Sequence, residues 1–183
     1  MKKLAIFVTA LFFFLVKSEG QIYLADSCRI SFFSATSMED IQADNTISKP
    51  VMSTATGDIQ ISISNADFVF KSRLMGEHYN EDYMESAKYP HTVFKGKVNE
   101  KVDYKKDGVN QITVTGSMNM HGVVKTITIP GTLTIQNGLI FLAAKFDIKM
   151  VDYNIKVPSV LGNNLSDHVA VTLSATMKPY AAK

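Results

Sequence analysis

Apolar and polar side chains alternate with a period of two along much of the chain. The clearest example is Ile59, Ile61 and Ile63, which Gln and Ser residues separate. The alternation recurs in residues 112–118, 126–129, 133–135, 145–150 and 169–177. Such a pattern is typical of strands that bury one face and wet the other. It therefore predicts an antiparallel sheet whose apolar face covers a core.

Turn residues separate the alternating segments. Asn137-Gly138 predicts a two-residue hairpin, because both positions tolerate a positive φ angle. Asp107-Gly108 predicts a similar turn. Many strands joined by short turns indicate a β-sandwich or a β-barrel.

Two segments interrupt the alternation. Residues 74–86 carry Met75, Tyr79 and Met84 at helical spacing with acidic residues between them, which predicts one short amphipathic helix ending before Pro90. Residues 157–167 contain one proline, one glycine and two asparagines, which predicts a long loop over a barrel mouth.

The first twenty residues have the order of a secretory signal peptide. Two lysines precede an apolar run from Leu4 to Val16, and Ser18 and Gly20 lie at the −3 and −1 positions of a cut before Gln21. The run is shorter than the roughly 20 residues that span a bilayer. We expect a signal peptide at 1–20, one mature domain at 21–183, and a periplasmic or secreted protein. The lysine after the apolar run favours the alternative, an uncleaved anchor.

Removing the predicted signal peptide changes the charge balance. The chain has 19 Lys and Arg against 17 Asp and Glu, a net charge of +2. The first twenty residues hold three of these lysines and one glutamate, so the mature chain has sixteen of each sign. The mature chain has no Lys/Arg cluster of the kind that binds a phosphate backbone, so we expect no nucleic-acid partner.

The candidate chemical groups are few. Cys28 is the single cysteine, so an internal disulfide is excluded. Cys28 lies too far past the apolar run to be a site of lipid attachment, and the acidic Asp26 two positions before it also argues against such a site. We expect a structural or free thiol. The sequence has no Gly-x-Ser-x-Gly elbow or glycine-rich phosphate loop, so no catalytic residue is predicted. The histidines lack metal-ligand spacing, so no metal site is predicted; they are His78, His91, His121 and His168.

Several short motifs together resemble the YceI-like family. In residues 68–90 the resemblance is carried by Phe68, Phe70, Met75, His78, Met84, Ser86 and Lys88-Tyr89-Pro90. It continues, in the order of the family, in residues 92–97, 116–125, 144–148 and 152–155. The chain departs from the family at Leu165-Ser166-Asp167-His168, and residues 31–39 lack the glycine of the family's aromatic–glycine hairpin.

The resemblance implies an all-β, lipocalin-like, eight-stranded antiparallel barrel that binds polyisoprenoid chains or isoprenoid quinones in a long tunnel. A barrel of eight strands has just enough interior for one small ligand. The residues expected to line the tunnel are Ile61, Ile63, Phe68, Phe70, Met75, Met84, Phe94, Val114, Met118, Phe146, Ile148 and Leu173. His78 and His121 are candidates for contact with a polar head group. The alternatives are an exposed ring for His78 and, for His121, a ring bonded to backbone near a tight turn.

The resulting hypothesis is a non-enzymatic binding protein that transports or stores an isoprenoid lipid. It needs no cofactor apart from the bound lipid or quinone, its partner is a hydrophobic small molecule, and its contact with membranes is transient. An exposed strand offers a route to a homodimer. Two alternatives remain open: a ligand-free, stress-associated structural barrel, and an accessory to an enzyme that uses lipids or quinones. A continuous tunnel favours the carrier, and side chains that meet along the axis favour the filled barrel.

Overall fold

The computed structural model describes residues 21–35, 40–156 and 168–180. The predicted signal peptide and the predicted mouth loop lie outside these residues. The described part of the chain forms ten strand segments: β1 Ile22–Ser34, β2 Ile41–Asn45, β3 Val51–Ser53, β4 Asp58–Ser64, β5 Val69–Phe70, β6 His91–Val98, β7 Gly108–Met120, β8 Val123–Gln136, β9 Leu139–Lys149 and β10 His168–Pro179. Within these ranges, no helix is both long and apolar enough to cross a bilayer.

The ten segments build a closed barrel of eight antiparallel strands. Neighbours follow the order β1, β10, β9, β8, β7, β6, β4 and β3, and β3 pairs with β1 to close the ring. β2 pairs with β1 on the same side as β3, and β5 pairs with β2, so β2–β3 and β4–β5 act as two interrupted strands. The predicted fold class is confirmed. Closure gives every strand a neighbour on both sides, so no strand is an edge strand along its whole length.

The break between β2 and β3 has a local cause in Asn45. Its side chain is fully buried, and its Oδ1 accepts hydrogen bonds from the backbone N–H groups of Ile47 and Ser48 and from the Ser48 hydroxyl. Its Nδ2 donates to the carbonyl oxygen of Ser64 at 3.2 Å. A side chain that satisfies nearby backbone groups in this way replaces the sheet ladder with a turn.

The predicted helix is present but shorter than expected. Helix α1 runs from Arg73 to His78 and continues as one π-helical turn from Tyr79 to Tyr83. The Ser72 side chain caps its first turn. Glu85 has a φ angle of +44°, which helical backbone does not adopt, so the helix cannot reach the predicted end at residue 86.

The hairpin turns agree only partly with expectation. Asn137 and Gly138 have φ angles of +52° and +75°, as the predicted primed turn requires. Asp107-Gly108 does not form such a turn: a longer connection, residues 99–107, joins β6 to β7, and the Asp107 carboxylate accepts the Asn137 N–H. The second primed turn lies instead at His121-Gly122, where φ is +50° and +76°.

Candidate functional site

The barrel encloses a cavity of about 450 Å³. The cavity occupies the half of the barrel nearer α1, which we call the α1 end. β1 ends in this half at Ser34. The connection between β5 and β6, which contains α1, crosses this end of the barrel. Eleven of the twelve residues predicted to line a tunnel line this cavity. They are Ile61, Ile63, Phe68, Met75, Met84, Phe94, Val114, Met118, Phe146, Ile148 and Leu173.

The opposite end of the barrel is filled. Four side chains that are less than 2 % exposed meet there, and none of them lines the cavity. They are Met52, Leu133, Ile140 and Met177. The bore is therefore a pocket that is closed at the end opposite α1, and not the long tunnel that the resemblance implied. Packed side chains exclude any guest from that half of the barrel.

Further lining residues belong to the same strand faces and were not singled out from the sequence. Six aliphatic side chains on β1, β4, β7, β8, β9 and β10 extend the apolar surface: Ile30, Ile59, Ile112, Ile129, Leu142 and Val171. The alternation that identified their neighbours would have found them too. Tyr79 and Tyr83 also line the cavity, and their helical spacing with Met75 is a signal that could have identified them.

Four aromatic rings pack together between α1 and the barrel, and we call them the aromatic cluster: Phe32, Phe68, Phe70 and Tyr79. The Tyr79 centroid lies 5.5 Å from that of Phe32 in a stacked geometry and 5.0 Å from that of Phe70. Phe70 belongs to this cluster and, unlike the other three, does not line the cavity. Burial raises the pKa of Tyr79, so its phenol stays neutral at the edge of the cavity.

The two histidines proposed for a head group have different surroundings. His78 lines the cavity, but its ring is half exposed and its Nδ1 lies 2.8 Å from Oδ2 of Asp82. His121 is buried outside the cavity. Its Nδ1 lies 3.1 Å from the carbonyl oxygen of Tyr153 and its Nε2 lies 2.8 Å from Oε2 of Glu85. This is the structural alternative considered for His121, with a carboxylate added to the backbone contact.

Buried polar groups at the cavity wall are bonded to one another. The Asn65 side chain is 1 % exposed, and its Nδ2 donates to the carbonyl oxygen of Tyr89 at 2.7 Å. The Thr92 hydroxyl donates to Asn65 Oδ1 at 2.9 Å. Apart from these groups the lining is dominated by aliphatic and aromatic side chains, and in the described part of the chain no Asp, Glu, Lys or Arg contributes to it. Such a wall favours an apolar guest, since a polar one would lose its water without gaining partners.

The groups that could support other chemistry are sparse. Over residues 21–35, 40–156 and 168–180, no cluster of three or more His, Cys, Asp or Glu side chains could hold a metal ion. Cys28 is buried, and that burial raises the pKa of its thiol to about 11. A thiol that stays protonated at neutral pH is a poor nucleophile and a poor metal ligand.

Comparison with known proteins gives one family and several similar structures. The family model of the YceI-like domain matches residues 25–177. A polyisoprenoid-binding domain from Saccharophagus degradans, implicated in plant cell wall breakdown, has a TM-score of 0.73 at 16 % identity, with 86 % of this chain and 98 % of that chain covered. BcnA from Burkholderia cenocepacia has a TM-score of 0.68 at 16 % identity over 81 % and 95 % of the two chains. No curated protein sequence matches.

A third similar structure is the YCEI protein of Campylobacter jejuni, with a TM-score of 0.56 at 16 % identity over 82 % of each chain. At such low identity these likenesses concern the fold alone. They place the blind cavity described above in a barrel architecture that these proteins share.

Proposed function

The chain belongs to the YceI-like family, and we propose that it is a non-enzymatic carrier that holds the apolar chain of an isoprenoid lipid, either a polyprenyl chain or a quinone tail, for transport or storage. The observation that carries the proposal is the apolar cavity of about 450 Å³ inside a closed barrel. This volume falls within the roughly 300–1,000 Å³ of small-molecule sites. The polyisoprenoid-binding domain from Saccharophagus degradans, which has the same fold, supports this class of ligand.

The energetics favour a hydrocarbon chain as the guest. Each CH₂ group that leaves water contributes about 0.8 kcal/mol to the free energy of binding. The apolar wall requires no directional contacts from the guest. Met75, Met84 and Met118 line the cavity with flexible, polarisable side chains that adapt to an irregular chain. Because the half of the barrel opposite α1 is filled, the cavity takes one end of a long lipid chain and leaves the rest of that lipid outside.

The proposed setting follows from the N-terminal sequence. We place the mature protein in the periplasm or outside the cell, where a lipid needs a carrier to cross water, and we expect only transient contact with a membrane at loading and release. No catalytic residue and no cofactor other than the lipid itself enters this proposal.

Filling the cavity tests the proposal. Val114 is buried and lines the cavity, so Val114→Phe places a ring in the space that the lipid would use. Ser117 lies on the same strand, is exposed and points outward, so Ser117→Phe is the matched control. We expect a dansyl-labelled geranylgeranyl chain to bind the wild type and Ser117→Phe alike, and Val114→Phe at least about tenfold more weakly, a difference of ~1.4 kcal/mol.

The filled end of the barrel favours the second candidate, a ligand-free structural barrel. The two candidates differ in one outcome. Equal binding of the probe by both variants, or no saturable binding by the wild type, would contradict the carrier and leave the structural barrel.

A further inference from the structure

The barrel wall has a seam at which two neighbouring strands separate. β8 and β9 pair only from Gly131 opposite Ala144 to Gln136 opposite Leu139. Both strands continue beyond this ladder, β8 back to Val123 and β9 on to Lys149. The stretches 126–130 and 145–149 are fully described and would face each other in the same register, yet they form no ladder with each other.

Both strands stay paired on their other sides. Along the same stretches, β8 stays paired with β7 as far as Val123 opposite Met120, and β9 stays paired with β10 as far as Lys149 opposite His168. Each strand therefore keeps its other neighbour while the two diverge. Pro130 is the first β8 residue beyond the ladder with β9. A proline has no N–H to donate, and it is tolerated at this position because no ladder hydrogen bond to β9 is lost.

The wall is thin where the ladder between β8 and β9 ends. Residues 130–132 of β8 and 143–144 of β9 line the interior cavity, and the same residues line a groove on the outer surface. Their side chains are small: Pro130, Gly131, Thr132, Ala143 and Ala144. Beyond the ladder lie the unpaired stretches 126–130 and 145–149, and we call the gap in pairing between them the β8–β9 slot.

A clasp closes the slot at the α1 end. After β9, residues Met150–Tyr153 form a 3₁₀ turn that bends towards β8. Lys125 Nζ of β8 lies 2.8 Å from Oδ1 of Asp152 in that turn. The Tyr153 carbonyl oxygen lies 3.1 Å from Nδ1 of His121 in the β7–β8 hairpin. The slot is thus a window bounded by the ladder on one side and by this clasp on the other.

We propose that the β8–β9 slot is the port through which the apolar chain of the ligand enters and leaves the cavity, so that loading occurs through the barrel wall. This inference rests on the proposed carrier function. The physical reason is that passage through a paired seam breaks ladder hydrogen bonds, and each broken bond costs free energy. Passage through this seam breaks none between the facing stretches.

The α1 end is the competing route, and the aromatic cluster obstructs it. Phe32, Phe68 and Tyr79 contact one another there with centroid distances of 5.2–5.7 Å. A chain passing α1 would have to separate these rings. Apolar side chains also flank the clasp end of the slot, where Val124 and Val151 are 62 % and 53 % exposed. They offer a first contact for a hydrocarbon chain arriving from a membrane.

Cross-linking the slot tests the proposal. Thr128 and Asp147 are exposed and point outward on the two sides of the slot. In a Cys28→Ala background, Thr128→Cys with Asp147→Cys is joined by a short bismaleimide. The matched control, Lys95→Cys with Ser117→Cys, joins exposed register partners on β6 and β7, where the wall is continuous. The same variants without the linker report on folding and on the substitutions themselves.

Release of the dansyl-labelled geranylgeranyl chain into excess liposomes is followed by fluorescence. We expect the linker across the slot to slow release by about tenfold or more, with equilibrium affinity unchanged, and the control linker to leave the rate within about twofold. Unchanged release across the linked slot would overturn the port while leaving the carrier intact. Absence of probe binding in every variant, linked or not, would instead overturn the carrier and the port with it.

Discussion

His121 lies 2.8 Å from Glu85, through Nε2 of the ring and Oε2 of the carboxylate, and this contact joins the β7–β8 hairpin to the segment that follows α1. The same ring reaches the Tyr153 carbonyl oxygen through Nδ1. Each ring nitrogen therefore faces an oxygen that can accept a hydrogen bond. The His-Gly step of the sequence therefore ties together three segments at the α1 end of the barrel.

Replacing His121 should destabilise the protein without emptying the cavity. His121→Ala leaves the buried Tyr153 carbonyl unsatisfied, and we expect it to lower the free energy of unfolding by about 1–3 kcal/mol. His121→Gln keeps one amide donor and should recover part of this loss. Urea denaturation measures both. A loss below about 0.5 kcal/mol for His121→Ala, or a fall in probe affinity that exceeds the stability loss, would contradict the structural role.

Two facing glycines allow β6 and β7 to approach closely. Gly96 and Gly116 are register partners, and a Cβ on Gly116 would lie 2.3 Å from the Lys95 carbonyl oxygen. Because backbone cannot yield as a flexible side chain can, we expect Gly116→Ala to cost about 1–3 kcal/mol. Gly108 at the start of β7 has open space around it, so Gly108→Ala should change stability by less than about 0.5 kcal/mol. Thermal unfolding of the two variants measures this difference in stability. Equal unfolding midpoints would contradict the expected cost of Gly116→Ala.

The buried thiol of Cys28 should make stability fall at alkaline pH. Burial raises its pKa from 9.0 to about 11, so the folded state holds the proton longer than the unfolded state does. The contribution is fully present below pH 9 and is lost as the pH rises towards 11. The difference in unfolding free energy between the wild type and Cys28→Ala should therefore shrink by about 1 kcal/mol between pH 8 and pH 10. A difference that stays constant over this range would show that the thiol titrates normally.

Opening the clasp should accelerate exchange of the probe. The hydrogen bond from Lys125 is the main cause that lowers the pKa of Asp152, so the pair stays ionised through the neutral range. Asp152→Asn removes one charge of the pair, and we expect release to quicken several-fold at neutral pH. Asp26→Asn is the control, since Asp26 forms a similarly exposed ion pair with Lys178 at the filled end of the barrel. Equal release rates for the two variants would contradict a clasp at the slot.

The strands and most of the cavity lining followed from the sequence because alternation is a local property. Ile61 and Ile63 point inward for the same reason that they alternate with polar residues. The resemblance added closure into eight strands, which no single segment encodes. Asn45 was missed because its role depends on burial, and burial depends on the strands around it.

The slot and the filled end could not be predicted in the same way. Residues 126–129 and 145–149 alternate as they would in a fully paired ladder, so the pattern contains no sign that the strands separate. Pro130 was the one local signal. Whether the bore is hollow or filled depends on side chains from several strands meeting at one level, as Met52 and Leu133 do, and spacing along the chain does not report such volumes.

Lipid extraction from the purified mature protein shows whether the barrel carries an isoprenoid lipid. The protein is expressed with its own N-terminal sequence in a host that makes polyprenyl lipids and isoprenoid quinones, purified without detergent, extracted with organic solvent and analysed by mass spectrometry. We expect an isoprenoid lipid at close to one molecule per chain from the wild type and much less from Val114→Phe. Extracts free of isoprenoid lipid, with the cavity equally empty in both proteins, would contradict this expectation.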